Sequence, residues 1–96
     1  MKKRIIHIED SVEYRDKVRE SLAPIKELDI VQFGDYASFV HCPNYQADLY
    51  ILDRHFPRSP RSNADDFSWK MALDFIQFLD ANNRVVMLSH RVPENG

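Results

Sequence analysis

Cysteine is almost absent from this chain: Cys42 stands alone, which excludes an intrachain disulfide and a thiolate metal set. No apolar run reaches membrane length. The start, Met1-Lys2-Lys3-Arg4, leads into a five-residue strand pattern, too short for the apolar core of a signal peptide. A reducing cytoplasm with no membrane partner is the expectation. An excess of one charge is lacking too. Lys and Arg number 13 and Asp and Glu 15, for a net charge of −2, and that balance gives no reason to expect nucleic acid as a partner. Four histidines (His7, His41, His55, His90) form no pair with metal-ligand spacing on one helix or turn, which argues against zinc. Repeats, a linker and a second domain are missing. The 96 residues allow one domain, near the small end of what a single core supports. An apolar content of 44% with 11% aromatics argues for a folded globule rather than disorder.

What is present is an alternation of short apolar runs and amphipathic stretches. Strands are expected at 4–8, 30–33, 47–52 and 84–88, and helices at 11–23, 36–41 and 68–81. Pro24 ends the first helix and Pro43 the second, and Ser68 or Asp66 is expected to open the third. On the first helix Val12, Val18 and Leu22 share one side. The third carries two apolar stripes, Trp69, Ala72, Leu73, Ile76 and Leu79 on one and Met71, Phe75 and Phe78 on the other, wider than one buried face requires. Residues 54–67, with Arg54, Arg58, Arg61, Pro57 and Pro60, read as a loop. Strands alternating with helices give an α/β fold with a parallel sheet covered on both faces.

The informative residues sit at the strand ends. Glu9 and Asp10 follow Ile5-Ile6-His7-Ile8, Asp53 follows Leu49-Tyr50-Ile51-Leu52, and Ser89 follows Val85-Val86-Met87-Leu88. In an open parallel sheet the carboxyl ends of the strands share one edge, where ligands bind. Three carboxylates and a hydroxyl therefore converge. Carboxylates side by side cannot all stay ionised without a cation, and an all-oxygen set suits Mg²⁺ or Mn²⁺. Asp10 with Glu13 also has capping-box spacing, a role compatible with the first. Ser89 also suits an ordinary strand-terminating turn. His7, inside a buried strand, reads as a hydrogen-bonded core histidine.

Three segments, IIHIED at 5–10, LYILDRHFP at 49–57 and VVMLS at 85–89, together resemble the signature segments of bacterial response-regulator receiver domains. Pro57, four residues after Asp53, matches the D-x-x-x-P of that family. The resemblance spans residues 3 to about 91. It implies a flavodoxin-like, doubly wound sheet with strand order 2-1-3-4, and a single shortened domain over 1–96 without the family's fifth strand and last helices. It also implies roles. Glu9, Asp10, Asp53 and the backbone carbonyl of His55 would hold Mg²⁺, Asp53 would accept a phosphoryl group, and Ser89 would turn its hydroxyl toward that group. The partner so implied is a histidine kinase or phosphotransfer protein of a two-component system, and the chain would be a signalling module rather than an enzyme.

The sequence departs from the family at three places. No lysine follows Lys70, so the phosphate-pairing lysine has no counterpart, the 54–67 segment is several residues longer than usual, and His90 stands where a small residue is usual. Arg54 and Arg91 are the substitutes at hand for the lysine. The departures support a second expectation, a degenerate receiver acting as a phosphorylation-independent interaction module. A metal-dependent phosphatase with Asp53 as nucleophile is a weaker third, because His55 stands where such enzymes place a second Asp. The bared edge of the last strand, the side of helix one and the broad apolar surface of helix three lead to the expectation of a homodimer.

Overall fold

Two nearly unbroken apolar runs set the architecture. The protein was analysed as a computed structural model, which describes residues 2–42, 46–79 and 84–88. In chain order its elements are β1 (Lys3–Ile8), α1 (Val12–Leu22), β2 (Leu28–Phe33), α2 (Tyr36–Val40), β3 (Leu49–Asp53), β4 (Phe56–Pro57), β5 (Ala64–Asp65), α3 (Ser68–Leu79) and β6 (Val85–Leu88). β1 and β3 are each buried along four consecutive residues, as parallel strands covered on both faces are. They form the middle of a four-stranded parallel sheet of order β2-β1-β3-β6, the expected 2-1-3-4.

Alternation along the strands sorts the side chains to two faces. Ile6, Ile8, Tyr50 and Leu52 join Phe39 of α2, Phe56, and Ala72 and Ile76 of α3 in one buried cluster. Aromatic edges tie its helices together: the Phe39 ring stands edge-on to Phe75, with centroids 5.6 Å apart, and also to Tyr50. This settles the two stripes of α3. Ala72 and Ile76 are buried, Trp69, Leu73 and Phe75 pack at the margin, and Phe78 is exposed.

The other face is built differently. α1 has no buried residue, and Val12, expected on its inner side, is 61% exposed. Val18 and Leu22 do lie over the sheet, lining with Tyr14 and Ile51 a shallow cavity of about 230 Å³. The rest of the seam is polar. Gln32 of β2 donates to the Arg15 carbonyl at 2.8 Å and meets His7 Nδ1 at 3.1 Å. Arg19 Nε donates to Gln32 Oε1. His7 is thus the hydrogen-bonded core histidine expected.

Three local expectations are corrected. The N-cap of α1 is Ser11, whose hydroxyl accepts from the Tyr14 amide, so Asp10 and Glu13 form no capping box; Glu13 pairs with Lys17 instead. Segment 54–67 is not simply a loop. β4 and β5 form a two-rung antiparallel hairpin, Phe56 with Asp65 and Pro57 with Ala64, and Phe56 is buried in the core. Its Arg58 carbonyl accepts the Ala37 amide at the start of α2. Finally, α3 is opened by Asp65 rather than Ser68 or Asp66. Asp65 Oδ1 accepts from the amides of Phe67 and Ser68 and from the Ser68 hydroxyl. Burial acts to raise the Asp65 pKa, but these hydrogen bonds outweigh it and hold the group below the ordinary value. Pro43, Asn82 and Asn83 lie outside the described residues.

Candidate metal centre

The register of the sheet positions the site. Ile8 pairs with Leu52 across β1 and β3, so the next residues on each strand, Glu9 and Asp53, emerge at one level of the same edge. Asp53 pairs in turn with Leu88 at the end of β6. Glu9, Asp10 and Asp53 each bring a carboxylate oxygen to a point where all lie within 4.8 Å of one another. Glu9 and Asp53 are buried, at 2% and 4% exposure, and Asp10 is exposed at the rim. These three of the expected residues are brought together. Ser89, His90 and Arg91 lie outside the described residues.

Local hydrogen bonds fix the backbone around the acids. The Glu9 amide donates to the Phe33 carbonyl at 2.9 Å, and Arg15 Nη1 donates to the Glu9 carbonyl at 2.6 Å. Gly34 leaves room for that guanidinium, since a Cβ there would stand 3.1 Å from Arg15 Nη1. The Arg54 amide donates to Asp53 Oδ1 at 2.9 Å, and the Ser11 amide to Glu9 Oε2 at 3.4 Å.

Electrostatics follow from the crowding. Burial first, then hydrogen bonding to the Asp53 and Asp10 carboxyls and repulsion by Asp53, push Glu9 up to about 9, against the opposing pull of the Ser11 amide. Three carboxylates this close resist carrying three negative charges unaided. His7, beneath it, is lowered to about 4: burial dominates, the Asp53 charge partly offsets it, and Arg15 adds to it. The oxygens and their closeness suit a hard divalent cation.

Among the described residues, the side chains of His55, Arg54 and Lys70 are engaged elsewhere. His55, half-buried, bonds through Nδ1 to Asp66 at 2.8 Å. Arg54, an expected substitute for the lysine, turns its guanidinium onto the Trp69 ring, 5.6 Å from the centroid. Lys70 lies 5.5 Å from the same ring and 5.5 Å from that of Phe67. The sequence did not single out Arg15, Gln32 or Asp65. Their roles depend on packing between elements distant in sequence, and no local motif marks them.

No protein-family model matches the chain, and no curated protein matches it. Solved structures do. The response regulator RcsB of Salmonella typhimurium superposes with a TM-score of 0.70 at 16% identity, over 94% of this chain and 43% of that one. RcsB from Salmonella enterica serovar Typhimurium, bound to promoter DNA in the presence of the phosphomimetic BeF3⁻, gives 0.71 at 16%, over 97% and 50%. A mutant of the response regulator MaeR bound to sulfate gives 0.63 at 17%, over 99% and 73%. The chain thus spans about half the length of the RcsB chains it matches. At these identities the likeness establishes the fold, which is receiver-like and flavodoxin-like. It also overturns one expectation. The net charge was read as excluding nucleic acid, yet RcsB is seen on DNA. Net charge is a sum over the surface, whereas DNA binding depends on where basic groups cluster, so that exclusion is withdrawn. Among the described residues no helix is long and apolar enough to cross a membrane.

Proposed function

We propose that this chain is a phosphoacceptor signalling module of the two-component type. Asp53 takes a phosphoryl group from a histidine kinase, and Glu9, Asp10, Asp53 and the His55 backbone carbonyl hold a Mg²⁺ ion. The observation that carries the reading is the cluster itself: three carboxylates, two of them buried, with oxygens within 4.8 Å of one another at the ends of adjacent parallel strands. The likeness in fold to RcsB and MaeR supports the signalling class.

In the transfer step, an Asp53 carboxylate oxygen attacks phosphorus and forms an O–P bond. The bond from phosphorus to the donor, a phosphohistidine nitrogen or the oxygen of a small acyl phosphate, breaks as it forms. The electron pair stays on the donor atom. Hydrolysis reverses the modification, with water attacking phosphorus to release inorganic phosphate and restore the carboxylate. Such transfers depend on positioning and charge neutralisation. The cation would neutralise the carboxylates and the incoming phosphoryl oxygens. The chain's own contributions are the strand register that aligns Asp53, the Arg54 amide that orients its Oδ1, and the Arg15 bond that fixes the Glu9 turn. Ser89 would donate its hydroxyl to a phosphoryl oxygen.

The test is incubation with a small acyl phosphate, with and without Mg²⁺, read by intact mass. The expected result is a Mg²⁺-dependent gain of one phosphoryl group in the wild type and none in Asp53→Asn. A second reading, the phosphorylation-independent interaction module, is favoured by the engagement of Arg15 and Arg54 away from the acids. It predicts no mass gain with any donor.

A further inference from the structure

A phosphoryl group on Asp53 replaces the carboxylate's single charge with close to two negative charges on phosphoryl oxygens at neutral pH, beside Glu9 and Asp10. A bound divalent cation offsets the carboxylates it touches, and the added oxygens need a further donor. Among the described residues, four basic groups lie near the cluster: Arg15, His7, His55 and Arg54. The Arg15 guanidinium is spent on the Glu9 carbonyl. His7 is buried beneath the sheet edge and bonded to Gln32. The His55 imidazole is tied to Asp66.

Arg54 is the remaining one. Its backbone already touches the acceptor, since its amide donates to Asp53 Oδ1. Its side chain is exposed and, among the described residues, makes no ion pair; its head rests on the Trp69 ring. That rest is a crowded one, because Lys70 approaches the same ring, with no carboxylate bonded to either head among the described residues. A cation resting on the ring of a half-buried tryptophan gains only about 1 kcal/mol, whereas a guanidinium meeting phosphoryl oxygens gains paired, charge-assisted hydrogen bonds. Arg54 lies just past the end of β3, where strand alternation no longer fixes side-chain direction, and its flexible stem can re-aim the head without moving the backbone amide.

We propose that Arg54 pairs with the phosphoryl group, parked on Trp69 in the unmodified protein and swung onto the phosphoryl oxygens when Asp53 is modified. The inference rests on Asp53 being the phosphoacceptor, and it names the cation that completes that site. It also makes Trp69, the single tryptophan, a built-in reporter of the swing.

The experiment follows labelling by acyl phosphate and Mg²⁺ in the wild type, Arg54→Lys and Arg54→Ala, with intact mass and Trp69 emission read on each sample. Because the Asp53 contact comes from the backbone amide and the side chain is exposed, both variants keep the fold; a thermal melt checks this. Arg54→Ala should label or retain the group about tenfold less well, equivalent to about 1.4 kcal/mol, and Arg54→Lys should fall between. Trp69 emission should change on labelling in the wild type and stay unchanged on labelling in Arg54→Ala. If the wild type labels and Arg54→Ala labels equally, with the same emission response, the pairing role is overturned while the phosphoacceptor reading stands. If the wild type does not label at all, the phosphoacceptor reading fails and the pairing role falls with it.

Discussion

A divalent cation should stabilise this protein, and the size of the effect should depend on pH in a direction fixed by Glu9. In the metal-free fold Glu9 titrates at about 9 rather than 4.5. A carboxyl whose folded pKa is raised stabilises the fold fully below its unfolded value and loses that stabilisation as pH rises toward the folded one. Metal-free stability should therefore fall between about pH 4.5 and 9, by up to roughly 1.4 kcal/mol per unit. A cation reverses the balance. It favours ionised carboxylates and displaces the Glu9 proton, so its apparent affinity should tighten with pH by up to about tenfold per unit across the same window.

A cation at ten times its dissociation constant adds roughly 1.4 kcal/mol. For a domain of this length that raises the melting midpoint by roughly 6 to 11 °C. The assay is a set of thermal melts at about pH 6, 7 and 8, with MgCl₂ and with NaCl at matched ionic strength. Glu9→Gln, which mimics the protonated form, should keep metal-free stability near pH 7, flatten its pH dependence and lose most of the Mg²⁺ response. Asp53→Asn should also lose that response. A Mg²⁺ shift of the same size at every pH, or one undiminished in Glu9→Gln, would refute a cation site that competes with the Glu9 proton.

Three further outcomes are expected. His7, lowered from 6.5 to about 4 by burial, contributes stability that is present above about pH 6.5 and lost as pH falls toward 4, up to roughly 3 kcal/mol in all; melts of wild type and His7→Gln should converge over that window on acidification. Asp65→Ala removes the acceptor for three donors at the start of α3 and should cost about 1 kcal/mol by urea denaturation, with Asp65→Asn costing less. Ile76→Ala empties a fully buried position between α3 and the sheet and should cost about 2 to 5 kcal/mol with an unchanged m-value.

The sheet was legible because β1 and β3 are buried on both faces, so their apolar runs are continuous and the acids that end them stand out. The clustering of Glu9, Asp10 and Asp53 follows from that register. Other features depend on contacts that no local pattern encodes. The β4–β5 hairpin has strands of two residues, one containing Pro57, and it is held by the burial of Phe56 and the bond from Arg58 to α2. Asp10 and Ser11 are adjacent acceptors of equal capping quality, and only the fold assigns the cap to Ser11 and the carboxylate to the acid cluster. The apolar stripe of α1 promised a buried face, yet its seam is carried by the polar residues Gln32, Arg15 and Arg19, whose partners lie across the chain.

The central claim is that Asp53 itself receives the phosphoryl group, and locating the modification tests it most directly. Borohydride reduction of protein treated with acyl phosphate and Mg²⁺ converts a phosphorylated aspartate to homoserine, which peptide sequencing by mass then places in the chain. The account predicts homoserine at position 53, dependent on Mg²⁺ and abolished in Glu9→Ala. Homoserine at another aspartate, or none in protein shown to bind Mg²⁺, would contradict it.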